Sequence, residues 1–181
     1  MLSPDVKPAA APMRRRLWRY IIVCAAALAI AHFVFGRWSA PAAQPGVIMR
    51  SIEGERLSFA ELRGRVVLVN FWATNCGVCL EEMPAMAQTY QRFRARGLEA
   101  VFVAMPYDRP DHVLAYARSK ALPFKVVLDV QGEINAAFGG VRATPTTFII
   151  DKRGRIVERI LGMPDFTRLE RFIAARLDEA G

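Results

Sequence analysis

Runs of apolar residues alternate with amphipathic stretches over residues 47–181, and this alternation predicts strands separated by helices. The run from Val66 to Trp72 is almost wholly apolar, which is typical of a strand buried on both faces. Apolar residues then recur at helical spacing from Met83 to Phe93, and we expect a helix that starts near Gly77. A second buried strand is predicted over Glu99 to Met105.

Shorter segments continue the same alternation toward the C-terminus. The further predicted strands are Phe124–Leu128, Thr146–Ile150 and Ile156–Leu161, of which the last two form an antiparallel hairpin. Asp111 is expected to cap a helix that runs to about Lys120, and Asp165 is expected to cap the last amphipathic helix. With a short helix over Glu133 to Phe138, the order predicts an α/β fold whose central mixed sheet is flanked by helices.

A different pattern occupies the N-terminus. Arg14, Arg15 and Arg16 precede an apolar run of 17 residues, Tyr20 to Gly36, which reaches the lower limit for a membrane-spanning helix. The positive-inside rule places the basic side in the cytoplasm. We therefore expect four segments: a cytoplasmic basic N-terminus (1–16), a transmembrane signal-anchor (17–38), a linker (39–46) and a folded domain (47–181) on the periplasmic or extracytoplasmic side of the cell membrane.

A cleavable signal peptide is the alternative interpretation of that segment. Small residues around Ala40-Pro41-Ala42 offer a cleavage site. The apolar run is longer than the roughly 7–15 residues of a typical signal-peptide core, which favours the uncleaved anchor. Both interpretations export the domain.

The net charge of +8 does not indicate nucleic-acid binding once it is divided along the chain. Residues 1–45 hold six basic and one acidic side chain, and the rest holds 19 basic and 16 acidic ones. The folded part is thus mildly basic, with both signs interspersed and no basic face with interleaved aromatic residues. We expect no nucleic-acid partner.

The candidate chemistry lies in the motif Cys76-Gly77-Val78-Cys79, at the junction of the predicted strand and helix. Two thiols at this spacing can close a disulfide with little chain movement, and a helix N-terminus stabilises a thiolate. The motif predicts a dithiol that cycles between reduced and oxidised forms. The third cysteine, Cys24, lies inside the predicted anchor and is interpreted as a small apolar residue facing lipid.

The segments 71–79 (FWATNCGVC) and 143–151 (ATPTTFIID) together resemble the thioredoxin superfamily, and more narrowly its membrane-anchored TlpA/ResA-like thiol-disulfide oxidoreductases. The resemblance covers roughly residues 47–178. It implies a thioredoxin-like fold in which Cys76 is the exposed attacking thiolate and Cys79 the buried resolving thiol. It also implies a cis-proline at Pro145, opposite the dithiol, and backbone groups at Thr144 that pair with an extended client segment.

The same resemblance supplies a candidate base for the resolving thiol. Thioredoxin carries a buried Asp six residues before the first cysteine, whereas this chain has Asn70, and an amide takes no proton at neutral pH. The family's alternative is a Glu three residues after the second cysteine, and Glu82 stands there. We hypothesise that Glu82 relays the proton of Cys79. The competing interpretation makes Glu82 an ordinary solvated acid like Glu81.

Two neighbours of the dithiol are expected to shape the client surface. Trp72 is interpreted as core or as a wall of the active site. Asn75 occupies a position where the family usually has Trp, so an apolar lid is replaced by an amide. The motif also holds Gly77-Val78 where Gly-Pro is common, and the identity of this pair tunes the reduction potential in related proteins.

The sequence therefore predicts an exported, membrane-tethered thiol-disulfide oxidoreductase that reduces disulfides in client proteins. Its clients are expected to be proteins of cytochrome c or copper-site maturation. Its electron donor is expected to be an integral-membrane carrier. We expect no cofactor or metal besides the Cys76/Cys79 pair. Thr146 stands where cytochrome c-specific reductases usually show Glu, which argues mildly against that client. A disulfide oxidase or isomerase is the first alternative. The second is a non-catalytic binding module or copper chaperone, although copper proteins of this fold use CxxxC and a distant His.

Overall fold

The structure is a computed structural model that describes residues 21–25 and 47–180. Residues 21–25 are helical and belong to a unit separate from the folded domain. Within these two ranges no helix is both long and apolar enough to cross a membrane. The predicted anchor (17–38) and linker (39–46) lie outside the described residues, apart from 21–25, and both stay predictions.

Seven strands form two sheets in the folded domain. Their bounds are β1 Ile48–Arg50, β2 Arg56–Ser58, β3 Val66–Trp72, β4 Leu98–Ala104, β5 Lys125–Leu128, β6 Thr146–Ile150 and β7 Ile156–Leu161. The short β1 and β2 pair with each other, and the other five make one sheet in the order β5-β4-β3-β6-β7. Strands β3, β4 and β5 are parallel, whereas β6 and β7 are antiparallel to their neighbours. The expected mixed sheet and its C-terminal hairpin are confirmed.

The folded domain has four α-helices, of which the first three connect strands and the last follows β7. They are α1 Gly77–Phe93, α2 Pro110–Ser119, α3 Glu133–Ala137 and α4 Phe166–Asp178, and a 3₁₀ turn, Arg94–Arg96, follows α1. Helices α1 and α4 pack over one face of the sheet, in an apolar cluster that includes Met83 and Ile173. The other face packs in a second cluster, where Phe71 and Phe148 meet the β1–β2 sheet through Met49 and Leu57. Strand β3 is buried along its whole length because both clusters cover it.

The predicted strand bounds at β3, β6 and β7 are confirmed to the residue, but the predicted cap of α2 is wrong. That helix begins at Pro110, and its N-cap residue is Arg109, which makes no side-chain cap. Proline is preorganised for the first helical position because its φ is fixed and its missing N–H would be unpaired there. Asp111 lies in the first turn instead, where its carboxylate pairs with Arg109 Nη2 at 2.7 Å.

Candidate active site

The dithiol sits where β3 ends and α1 begins. A turn follows Trp72, closed by a hydrogen bond from the Cys76 N–H to the Ala73 carbonyl at 3.1 Å. Cys76 is then the N-cap residue of α1, and its Sγ accepts the Cys79 N–H at 3.2 Å. The two cysteines are joined as a disulfide with their Cα atoms 5.2 Å apart. A thiolate on Cys76 would therefore keep a backbone donor and the positive end of the helix dipole.

The two sulfurs differ in their access to solvent. Cys79 is fully buried, whereas Cys76 is half-buried between the exposed residues Asn75 and Gly77. A partner protein can reach Cys76 without opening the core, and it cannot reach Cys79 in that way. This asymmetry agrees with the roles that the resemblance implies, an attacking Cys76 and a resolving Cys79.

The segment before β6 lies at the same edge of the sheet as the dithiol. Thr146 pairs with Phe71 near the end of β3, so the residues just before β6 approach the β3–α1 junction. The Thr144–Pro145 peptide bond is cis, as the resemblance implies. Pro145 is buried and its carbonyl accepts the Gly162 N–H at 2.8 Å, while Thr144 is half-buried.

Glu82 is buried on the face of α1 that carries Cys79 and is not solvated. It is 1% exposed, and its Oε1 accepts a hydrogen bond from Asn70 Nδ2 at 2.8 Å. Burial raises the pKa of Glu82 from 4.5 to about 7, and the hydrogen bond from Asn70 opposes part of that rise. A carboxyl with a pKa near neutrality can both accept and release a proton under working conditions.

Helix α1 turns Cys79 and Glu82 toward the same interior. Its buried face consists of Cys79, Glu82, Met83, Met86, Thr89 and Phe93. Residues three apart on a helix are neighbours on one face. The adjacent Glu81 is exposed, so the two acids occupy different environments and the solvated interpretation of Glu82 is not supported.

Trp72 and Asn75 were both expected to contact a client, and the structure places them differently. Trp72 is fully buried and its ring lies 5.5 Å from that of Tyr116, so it forms part of the core under the dithiol. Asn75 is exposed beside Cys76. Of the two, Asn75 is the one that a docked client can touch directly.

Sequence reasoning missed two partners of the site. Thr147 Oγ1 accepts the second N–H of Asn70 Nδ2 at 3.0 Å, which fixes the amide between β6 and Glu82. Asp108 accepts both the backbone N–H and the hydroxyl of Thr74, each at 2.6 Å. The signal for Asp108 was its place after β4, because the carboxyl ends of neighbouring parallel strands meet at one edge of a sheet.

Across residues 21–25 and 47–180 no group of three or more His, Cys, Asp or Glu side chains is arranged to hold a metal ion. The groups with chemistry at this edge of the sheet are the two sulfurs and the buried carboxyl of Glu82. Their arrangement can exchange a disulfide with a partner and move one proton within the site.

The sheet order, the CxxC at a helix N-terminus and the cis-proline segment beside it define a thioredoxin-like protein. The AhpC/TSA family model matches residues 41–159. The thiol-disulfide oxidoreductase ResA of Bacillus thuringiensis is 33% identical over 130 residues, which is 71% of this chain and 73% of that protein. The chain belongs to the AhpC/TSA family and is a ResA-like thiol-disulfide oxidoreductase.

Solved structures agree with this assignment. The solution structure of a putative thioredoxin from Neisseria meningitidis superposes with a TM-score of 0.70 at 32% identity, covering 78% of this chain and 91% of that one. A putative thiol:disulfide interchange protein DsbE from Chlorobium tepidum gives a TM-score of 0.69 at 26% identity, covering 77% and 97%. The predicted enzyme class is confirmed, and the non-catalytic alternative is set aside.

Proposed function

We propose that this oxidoreductase reduces disulfides in exported client proteins while it is tethered to the membrane, with Cys76 as the attacking and Cys79 as the resolving residue. The observation that carries the assignment of the two cysteines is the burial difference between the two sulfurs at the N-terminus of α1. Exported compartments keep exposed thiol pairs oxidised, so a reductase there needs its own electron donor. A membrane carrier would serve, and a tether raises the effective concentration of the dithiol near it.

The proposed reaction transfers two electrons through a mixed disulfide. The Cys76 thiolate attacks one sulfur of the client disulfide, forms a Cys76–client bond and releases the other client sulfur as a thiolate. Cys79 then loses its proton and attacks the Cys76 sulfur, which closes the Cys76–Cys79 disulfide and releases the second client thiolate. The donor returns two electrons to the pair, and one proton restores the Cys79 thiol while Cys76 returns to the thiolate.

Glu82 is proposed to take the proton that Cys79 must lose. Both side chains lie on the buried face of α1, where water has little access and a base must come from the protein. The pKa of Glu82, about 7, keeps a large carboxylate fraction at neutral pH. The backbone groups of the half-buried Thr144 would meanwhile pair with the extended client segment, and Asn75 would contact it beside the sulfur.

The relay is tested by Glu82→Gln, which keeps the shape and removes the base. We expect Glu82→Gln to slow the resolution step and to abolish its rise with pH near 7, measured as release of a thiol chromophore from a Cys76-linked mixed disulfide. Glu81→Gln is the matched control, because it makes the same change at an exposed neighbour. Equal resolution rates for Glu82→Gln and the wild type at every pH would contradict the relay.

The direction of exchange is tested separately, by equilibrium titration of the dithiol in glutathione or dithiothreitol redox buffers. A reduction potential near that of thioredoxin, about −270 mV, supports the reductase, and one near −120 mV supports the oxidase alternative. Cys79→Ser traps the client on Cys76, so mass spectrometry of the trapped complex tests whether cytochrome c or copper-site proteins are clients. Fractionation of the full chain tests the tether.

A further inference from the structure

Two loops leave the sheet side by side at the edge that carries the dithiol. Trp72 at the end of β3 pairs with Ala104 at the end of β4, and the Met105 N–H continues the pairing to the Trp72 carbonyl at 3.0 Å. The first loop leads through Thr74 to Cys76. The second loop leads through Asp108 to α2. A contact between these two loops therefore restrains the backbone just before Cys76.

Asp108 joins them through its carboxylate. Its Oδ2 accepts the Thr74 backbone N–H at 2.6 Å, and its Oδ1 accepts the Thr74 hydroxyl at 2.6 Å. Oδ1 also accepts the N–H of Arg109 at 2.9 Å, which ties the same carboxylate to the start of α2. Asp108 is itself anchored, since its own N–H donates to the Met105 carbonyl at 2.9 Å. The carboxylate therefore has three donors and a fixed backbone.

We propose that Asp108 is a positioning residue for the exchange reaction, and that its pair of bonds to Thr74 (the Asp108 clamp) holds the Cys76 sulfur in the N-cap position of α1. The sulfur keeps its backbone donor only while the turn from Ala73 to Cys76 stays closed. The helix dipole acts over the first turn alone, so a small displacement of Sγ weakens thiolate stabilisation. The inference rests on the proposed role of Cys76 as the attacking thiolate.

The charge of Asp108 acts in the opposite direction to its hydrogen bonds. A carboxylate near a thiol disfavours the thiolate, whereas a correctly placed N-cap sulfur favours it. The other charged or titratable groups near this edge of the sheet include Glu81 and Glu82 on α1, and Arg142 before the cis-proline. The second loop and α2 add Tyr107, Arg109, Asp111, His112 and Tyr116. Removing Asp108 slows Cys76 if positioning dominates and speeds it if the charge dominates.

Four variants of the full reduced protein separate these two effects. Asp108→Ala removes both the clamp and the charge, and Asp108→Asn removes the charge but keeps an amide that can pair with Thr74. Thr74→Val keeps the charge and the backbone bond but loses the hydroxyl bond. Asp111→Asn is the matched control, because it removes a carboxylate from the same segment, one that pairs with Arg109 and not with the dithiol loop.

The measurement is the rate of Cys76 alkylation by iodoacetamide across pH, with thiolate absorbance as a second readout. We expect Asp108→Ala to slow alkylation at neutral pH about three- to tenfold and to move its pH profile upward. Thr74→Val should slow it about twofold, and Asp108→Asn should stay closer to the wild type than Asp108→Ala. Asp111→Asn should not change it.

Faster alkylation in Asp108→Ala, or equal rates in Asp108→Ala and the wild type, would overturn the clamp. The pH midpoint of the profile distinguishes positioning from a general loss of fold, and circular dichroism of each variant checks that the domain is intact. The wild type provides the separate test of the proposed function. If its Cys76 alkylates no faster than a free cysteine, the attacking role of Cys76 fails whatever Asp108 does.

Discussion

Helices α1 and α4 start in the same way but use their N-caps for different purposes. In α4 the exposed Asp165 carboxylate accepts the Arg168 N–H at 3.0 Å. In α1 the same position holds Cys76, whose sulfur accepts the Cys79 N–H at 3.2 Å. Sulfur is a weaker acceptor than a carboxylate. The N-terminus of α4 therefore carries a residue that stabilises the fold, whereas the N-terminus of α1 carries a reactive group.

The acidic side chains near the starts of α1 and α4 also differ, in how far they are exposed to solvent. Asp165 is exposed, and its side chain caps the N-terminus of α4, where the helix dipole is positive. Glu82 lies inside α1 and is buried, so its charge is costly and its proton is held up to a pH of about 7. Burial thus converts a carboxylate from a structural cap into a group that can exchange a proton.

The largest expected effect comes from breaking the reactive N-cap. Cys76→Ser should reduce exchange with a protein disulfide to the uncatalysed rate, because a hydroxyl at this position is not a nucleophile toward sulfur at neutral pH. Cys79→Ser should retain the first step and accumulate the mixed disulfide. Turbidity from insulin reduction measures the loss, and non-reducing electrophoresis detects the trapped species. Turnover by Cys76→Ser would contradict the assignment of the attacking sulfur.

The next-largest expected effect is on the free energy of unfolding, which the buried Glu82 lowers at neutral pH. The folded protein holds this proton up to about pH 7, whereas the unfolded chain releases it near 4.5. The stability that comes from the protonated, buried form is complete below pH 4.5 and is lost as pH rises to about 7. Glu82→Gln lacks this loss, so between pH 4 and 8 it should gain on the order of 3 kcal/mol of unfolding free energy relative to the wild type.

Urea unfolding at a series of pH values measures that difference. Glu81→Gln serves again as the control, because its exposed side chain pays no burial cost. Parallel stability curves for Glu82→Gln and the wild type from pH 4 to 8 would show that Glu82 is not held protonated by burial.

Removing the N-cap side chain of α4 should have a smaller effect, and it should lower the free energy of unfolding rather than raise it. Asp165→Ala removes the acceptor of the Arg168 N–H and should lower the unfolding free energy by about 1 kcal/mol. Its exchange rate and the pH profile of Cys76 should equal those of the wild type, because α4 contributes no group to the dithiol. A changed pH profile in this variant would remove the distinction between the two helix starts.

The smallest expected effect is the difference in stability between Cys76→Ser and the reduced wild type. Serine is a strong N-cap residue, so this variant should be at least as stable as the reduced wild type, by a few tenths of a kcal/mol. Thermal unfolding under reducing conditions provides the measurement, since the disulfide then makes no contribution. A clearly less stable variant would mean that the sulfur caps α1 better than a hydroxyl does.

The strands were predictable because their signal is local. The apolar run of β3 and the hairpin of β6 and β7 can be seen in short windows of sequence, and their bounds agree with the structure. The cap of α2 was mispredicted because Asp111 and Pro110 compete for the same start, and the proline position decided it.

The sequence by itself determined the dithiol, its place at a strand-to-helix junction and the α/β class, since each depends on residues adjacent in the chain. Only the tertiary structure decided that Glu82 is buried against Asn70 and that Asp108 holds Thr74. The first contact joins residues 12 positions apart in the chain, and the second joins residues 34 positions apart. Burial and hydrogen bonding depend on which strands become neighbours in the sheet, and no local pattern of polar and apolar residues specifies that.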